Sequence, residues 1–307
     1  MMKTIRIATR QSALALWQAH WIGDLLQAKY PDLHITWVLL TTQGDRDLDV
    51  SLSKIGGKAL FLKELESALL NDQADIAVHS LKDCPVNETP ELTLAAFLPR
   101  ATPWDAFLST VADSVQELPM GAIVGTSSLR RQTQLKAMRP DLTIRMLRGN
   151  VDTRVKKMLS GEYDAIILAA CGLERLNLGC HIRGLLPPAE MLPAIGQGVV
   201  VVQCAENSPF LGHVQSLHDP RTHAQAVAER SLGAQLGSSC QVPIGGHARW
   251  EGDKLVLTGL VGSLDGSCIL RAESTRDMHE AEALGIEVAH MLVENGALEI
   301  IQEALSG

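Results

Sequence analysis

The densest chemistry in this 307-residue chain lies between Arg130 and Lys157. Nine basic residues (Arg130, Arg131, Lys136, Arg139, Arg145, Arg148, Arg154, Lys156 and Lys157) meet only Asp141 and Asp152 there, a net +7 over 28 residues. The chain as a whole has 27 Lys+Arg and 35 Asp+Glu, a formal charge of −8, so the remainder sums to −15. Lys136, Arg139, Lys156 and Lys157 read most simply as a solvated helix face. Arg130, Arg131 and Arg148 differ, because each follows a strand-like run, where an α/β sheet presents its ligands. Thr126, Ser127 and Ser128 precede Arg130 at what reads as a helix start. Hydroxyls, free backbone N–H groups and the helix dipole favour an anion there. A guanidinium adds a planar fork suited to carboxylate or phosphate. These residues predict a binding site for a small polyanion.

Three further groups could act with it. Arg10 and Ser12 occupy the first strand-to-helix turn, and Lys54 and Lys58 flank Gly56-Gly57 in a cationic loop. In His79-Ser80-Leu81-Lys82-Asp83-Cys84-Pro85 a strand ends in a polar turn, and Asp83 is a candidate acid/base or cation stabiliser. The alternative for Asp83 is a local cap or ion pair. Cys240 sits in a Gly-, Ser- and Pro-rich loop past a helix, exposed enough to react, although a lone cysteine is usually inert. No His spacing marks a nucleophilic triad. The six cysteines include no C-x-x-C pair, which predicts neither zinc nor a disulfide framework and fits reduced thiols in a cytoplasm.

The elements that must position these residues alternate. Thr4–Ala8 reads as a strand, followed by a helix with Leu14, Trp17, Trp21 and Leu25 on one face. Ile35–Thr41 reads as a strand covered on both sides. Phe61, Leu65 and Leu69 mark a helix and Asp75–His79 a strand. The pattern returns with strand Ile123–Gly125, helix Ser128–Met138, strand Thr143–Leu147, helix Val151–Leu159 stopped by Gly161, and strand Asp164–Ala169. Ile5–Leu16 and Ile123–Leu135 look like a weak repeat of strand, turn and helix. Pro99–Pro103 and Leu192–Gly198 read as crossovers between two α/β lobes, the second leading into the apolar strand Val199–Cys204. Two crossovers imply a hinged cleft. From Ala224 the pattern becomes helix (Ala224–Leu236), three strands (Gly246–Glu251, Lys254–Gly262, Cys268–Glu273), and a helix, His279–Glu294, with a last short one. The reading divides the chain into 1–99 with 199–217, 104–193, and 221–307. The acidic balance disfavours a nucleic-acid partner. No apolar run reaches the roughly 20 residues of a membrane helix, and no export signal opens the chain.

Seven segments, in order, carry a resemblance. They are Ala8–Leu16 (ATRQSALAL), Lys58–Glu66 (KALFLKELE), His79–Asp83 (HSLKD), Gly125–Arg131 (GTSSLRR), Arg148–Arg154 (RGNVDTR), Leu192–Gly198 (LPAIGQG) and Cys240–Gly245 (CQVPIG). Along essentially its whole length the chain resembles the porphobilinogen deaminase (hydroxymethylbilane synthase) family. That resemblance implies an α/β fold of two periplasmic-binding-protein-like lobes, with doubly wound mixed sheets, plus a small C-terminal α+β domain. It implies a dipyrromethane cofactor joined by a thioether at Cys240. It also implies that four porphobilinogen molecules are condensed head to tail, with loss of four ammonia, and that hydrolysis frees hydroxymethylbilane. Asp83 becomes the catalytic carboxylate. Ser80, Lys82, Asp83, Thr126, Ser127, Ser128, Arg130, Arg131, Arg148 and Gly149 become cofactor-binding. Arg10, Ser12, Lys54, Lys58, Arg148, Asn150, Arg154, Arg175 and Gln197 become substrate-binding, with no metal and a monomeric state. Each ring carries an acetate and a propionate, the polyanion that the local charge anticipates.

Two departures stand out. Ser238-Ser239 replaces the family's usual Gly-Gly before the cysteine, which would strain a turn needing φ > 0. Ala59 replaces a glycine in the lysine loop. Neither removes a reacting group, so the expectation is an active enzyme. The alternative is a non-enzymatic two-lobed binder of a polycarboxylate. An RNA-binding role for residues 130–157 would ignore the acidic remainder.

Overall fold

A computed structural model describes residues 3–41, 62–238 and 242–306. Lys54, Lys58 and Cys240 lie outside the described residues, as do Ala59, Phe61 and Ser239. The chain divides into two compact units, Met1–Ala101 with Val199–His223, and Thr102–Gly198 with Ala224–Gly307.

The first unit holds β1 (Lys3–Arg10), β2 (Leu33–Leu40), β3 (Ile76–Ser80), β4 (Leu92–Phe97) and, numbered along the whole chain, β10 (Val200–Ala205). Their order is β2-β1-β3-β10-β4. β1 runs parallel to β2 and β3, whereas β10 is antiparallel to β3 and β4. The period of two sends Ile5 and Ile7 to one face, against Ile22 and Leu26 of helix α1 (Ala13–Lys29). Ala8 and Ala77 face the other way, against Leu65 and Leu69 of helix α2 (Lys63–Leu70).

Two expectations for this unit need correction. The fully buried face of α1 is Gln18, Ala19, Ile22, Gly23 and Leu26, and of the Leu14/Trp17/Trp21/Leu25 stripe Trp21 and Leu25 pack partly buried beside it while Trp17 is exposed. Small residues decide it, because a Cβ on Gly23 would come within 2.8 Å of the Trp37 ring, so only glycine lets helix and sheet approach this closely. Among the described residues, strand β2 is not covered on both sides. It is the edge strand, and Trp37 and Leu39 stay 37% and 52% exposed.

The second unit repeats the sheet. Strands β5 (Asp105–Ser109), β6 (Ile123–Gly125), β7 (Thr143–Arg145), β8 (Ala165–Ala169) and β9 (Gly184–Leu186) take the order β7-β6-β8-β5-β9. β6 is parallel to β7 and β8, and β5 is antiparallel to β8 and β9, which is the first sheet's pattern position by position. Helices α3 (Leu129–Met138), α4 (Val151–Leu159) and α5 (Ala170–Arg175) follow β6, β7 and β8. In the first unit, helix α6 (Leu211–Gln215) follows β10.

The C-terminal part is a three-stranded antiparallel sheet of β11 (Ile244–Glu251), β12 (Lys254–Gly262) and β13 (Ile269–Asp277). From Ala224 on, helix α7 (Pro220–Gln235) packs on it with α8 (Ala281–Glu294) and α9 (Ala297–Ser306), around Leu232, Leu257, Leu284, Val288 and Leu292. The fold is thus α/β, with two mixed five-stranded sheets and a small α+β module. Among the described residues no helix is long and apolar enough to cross a membrane.

Candidate functional site

Parallel strands place their carboxyl ends at one edge of a sheet, and in each unit that edge collects the expected residues. In the first unit, Arg10 is the last residue of β1 and Ser80 the last of β3. Ser12 caps α1 by accepting a hydrogen bond from the Ala15 N–H at 3.4 Å. Gln18 Nε2 donates to Ser80 Oγ at 2.9 Å, tying α1 to the end of β3. The chain then makes a short 3₁₀ turn, Leu81–Asp83. Leu81 is buried and its N–H donates to the Val199 carbonyl at 3.0 Å, while Lys82 and Asp83 remain exposed. Asp83 makes no hydrogen bond or ion pair among the described residues, so the local cap is absent.

Behind this turn His79 is buried. Its Nε2 lies 3.1 Å from Gln203 Oε1, and Gln203 Nε2 donates to Glu66 Oε1 at 3.0 Å. Because Gln203 offers an oxygen, His79 is the donor and carries its proton on Nε2. Burial pushes its pKa down to about 4, with the Arg10 charge adding to the fall against the Gln203 hydrogen bond.

In the second unit, Ser128 caps α3, its Oγ accepting from the Arg131 N–H at 3.4 Å. The Ser128 N–H donates to Thr126 Oγ1 at 3.2 Å, and Ser127 Oγ donates to the Leu147 carbonyl at 2.6 Å, binding the β6 and β7 turns together. Gly149 has φ +112°, and a Cβ there would meet Thr153 at 3.0 Å, so this turn requires glycine. Arg154 Nε donates to the Gly149 carbonyl at 2.7 Å. Asn150 stands exposed at the N-cap of α4 without a side-chain cap bond. Arg148 is half-buried, and its buried Nε meets no acceptor. Arg175 Nη2 donates to the Gly198 carbonyl at 3.0 Å, and burial lowers its pKa.

Arg130 and Arg131 are buried, at 4% and 7% exposure. Both pair with Asp105, which sequence reasoning did not single out. Asp105 also accepts from Gln197 Nε2 at 2.9 Å. Burial alone would raise the Asp105 pKa, but the charges and hydrogen bonds of Arg130 and Arg131 outweigh it and hold the carboxyl well below the ordinary range. The available signal was an acid directly ahead of the apolar run Ala106-Phe107-Leu108. Glu229 was missed as well. Fully buried on α7, it accepts from the Gly196 and Ala248 N–H groups at 2.7 Å each and so ties the Leu192–Gly198 turn to β11.

The turn before Cys240 is settled as far as Ser238. Helix α7 ends in a Schellman motif, with Ser238 N–H donating to Gly233 O and Gly237 N–H to Ala234 O. The positive φ, +63°, falls on Gly237, and Ser238 is not in the left-handed region, so the strain expected at that residue is not there.

Solved structures to which the chain is similar include the periplasmic VFT2 domain of BvgS from Bordetella pertussis (13% identity, 70% of this chain and 86% of that one, TM-score 0.42). Two others are the methionine-binding protein MetQ (12%, 76% and 94%, 0.42) and a YaeC-family lipoprotein from Enterococcus faecalis (14%, 70% and 90%, 0.40). Residues 5–212 match the family model described as "Porphobilinogen deaminase, dipyromethane cofactor binding domain". Residues 223–294 match "Porphobilinogen deaminase, C-terminal domain". The chain therefore belongs to the porphobilinogen deaminase family of dipyrromethane-binding enzymes of tetrapyrrole biosynthesis.

Proposed function

We propose that the protein is a hydroxymethylbilane synthase that condenses four porphobilinogen molecules head to tail, releases four ammonia and frees the linear tetrapyrrole by hydrolysis. The observation that supports this most is the cationic, donor-rich edge of the second sheet in a chain of this family. Arg148 keeps a buried Nε without an acceptor, beside two helix N-termini and the hydroxyls of Thr126, Ser127 and Ser128. That donor set fits a carboxylate-bearing group such as dipyrromethane.

In this reading Ser80, Lys82, Asp83, Thr126, Ser127, Ser128, Arg130, Arg131, Arg148 and Gly149 hold the cofactor, and Cys240 carries it as a thioether. Bound there, dipyrromethane supplies a covalent starting point for chain growth. Arg10, Ser12, Lys54, Lys58, Arg148, Asn150, Arg154, Arg175 and Gln197 bind the carboxylates of substrate. Asp83, an exposed carboxylate on a turn held by buried Leu81, stabilises the positive charge that develops on porphobilinogen as ammonia leaves. It also accepts a proton. The division into 1–99 with 199–217, 104–193 and 221–307, a monomeric state and a cytoplasmic location belong to the same proposal. Porphobilinogen is then the partner, with no nucleic acid or membrane.

The intact mass of the purified protein tests it. The expected mass exceeds the polypeptide by a two-pyrrole adduct that Cys240→Ser removes, and the wild type releases ammonia from porphobilinogen. A bare polypeptide mass with no ammonia released would instead favour the polycarboxylate binder.

A further inference from the structure

We propose that Asp105 is a positioning residue, which locks the Arg130 and Arg131 guanidiniums into one arrangement with a surplus positive charge, set for the carboxylates of the tetrapyrrole. The inference rests on the functional reading above and adds to it a residue that touches neither cofactor nor substrate. Asp105 is fully buried. Its Oδ2 accepts from Arg130 Nη1 at 2.8 Å. Its Oδ1 accepts from Arg131 Nη2 at 2.7 Å, from Arg131 Nε at 3.2 Å and from Gln197 Nε2 at 2.9 Å. Backbone carbonyls fix the far ends. Leu192 O accepts from Arg130 Nη1 at 2.7 Å, and Ile167 O accepts from Arg131 Nη1 at 2.9 Å.

Two consequences follow from this geometry. Two guanidiniums share one carboxylate, so the buried cluster keeps one positive charge uncompensated. A buried charge without a counterion is costly, and an incoming carboxylate relieves that cost. The two arginines are also used unequally. Arg131 spends all three of its nitrogens on Asp105 and Ile167 O, whereas Arg130 satisfies both of its acceptors through Nη1. Among the described residues nothing accepts from Nε or Nη2 of Arg130, which leaves one edge of its fork for a ligand. The place in the fold agrees. Asp105 opens β5 opposite Ala169, the last residue of β8, at the same sheet edge as Ser128 and Arg148. The carboxylate reaches both guanidiniums only from that register, and a side chain one methylene longer would push them off it.

The test compares Asp105→Glu with wild type, each purified from cells able to load the cofactor. The expected result is a variant with at least half of its molecules lacking the two-pyrrole adduct by intact mass. Its loaded fraction should show a KM for porphobilinogen raised about tenfold, with kcat changed less. Adduct content and KM within twofold of wild type, whatever the melting temperature does, overturn the proposal. If Asp105→Glu does not fold, Asp105→Asn, which keeps the volume, is read in the same way, and failure of both to fold overturns positioning in favour of a purely structural ion pair. A wild-type protein without adduct or turnover sinks the functional reading itself, a result visible before either variant is made.

Discussion

At Asp83, a buried neighbour decides what an exposed side chain can do. Leu81 anchors the turn through packing and the hydrogen bond to Val199, so the Asp83 carboxylate projects without a hydrogen bond or ion pair among the described residues. Asp83→Ala should therefore leave folding nearly untouched, within about 0.5 kcal/mol as for other surface substitutions. Ammonia release should fall on the order of 10²–10⁴-fold, the usual worth of a positioned acid/base. The adduct mass is measured alongside, and ammonia release near the wild-type rate by this variant removes Asp83 from the chemistry. Asp83 and Arg148 were singled out in the sequence by their place beyond a strand-like run, with a local cap or ion pair as the alternative for Asp83. Asp105 and Glu229 were not, because their partners lie 25 or more and 19 or more residues away, respectively, and only the folded sheet brings them together.

At the scale of elements, the helices with their own stop signals read best. Val151–Leu159 appears with the expected bounds, ended by Gly161 at φ +81°. Strands β4, β5 and β9 went unread. They are six, five and three residues long, and almost wholly buried β5 shows no alternation for a period of two to reveal. The repeat of strand, turn and helix was visible in Ile5–Leu16 and Ile123–Leu135, and the two sheets share one topology, with a serine-capped helix after the equivalent strands β1 and β6. One close contact between elements makes a prediction. Where α8 crosses α7, a Cβ on Gly285 would come within 2.3 Å of the Ala228 carbonyl oxygen and 2.8 Å of the Leu232 nitrogen. Backbone cannot rotate away as a side chain can. Gly285→Ala should cost about 1–3 kcal/mol, the usual overpacking penalty, despite the better helix propensity of alanine. Urea unfolding with an unchanged m-value and a lower midpoint is the expected reading, and a midpoint at or above wild type would show that the helices separate freely.

For the whole molecule, the +7 stretch overstates the charge offered to a ligand. Lys136 Nζ donates to the Pro140 and Leu142 carbonyls, and Arg139 pairs with Asp141 and donates to the carbonyls of Val115, Gln116 and Leu118. Those two cations hold turns, where the sequence had suggested a solvated helix face. Charge also sets how the protein meets acid, by two different groups in its two units. His79 is neutral in the fold, with its pKa lowered from 6.5 to about 4, chiefly by burial. Its unfolded form binds a proton first, so the stability it contributes is complete above pH 6.5 and is lost as pH falls toward 4, about 3 kcal/mol over that window. Asp105 is lowered too, by Arg130 and Arg131, so its contribution is present above the ordinary carboxylate range and is lost at still lower pH. Acid should therefore weaken the first unit before the Asp105 cluster titrates. Urea midpoints measured from pH 7 to pH 4 should fall steadily for wild type. His79→Gln, which cannot take up the proton and keeps a donor for Gln203, should start lower at pH 7 and fall less across the same range, the remainder coming from groups such as half-buried His223. An equal slope in both proteins would mean that another group governs the acid response.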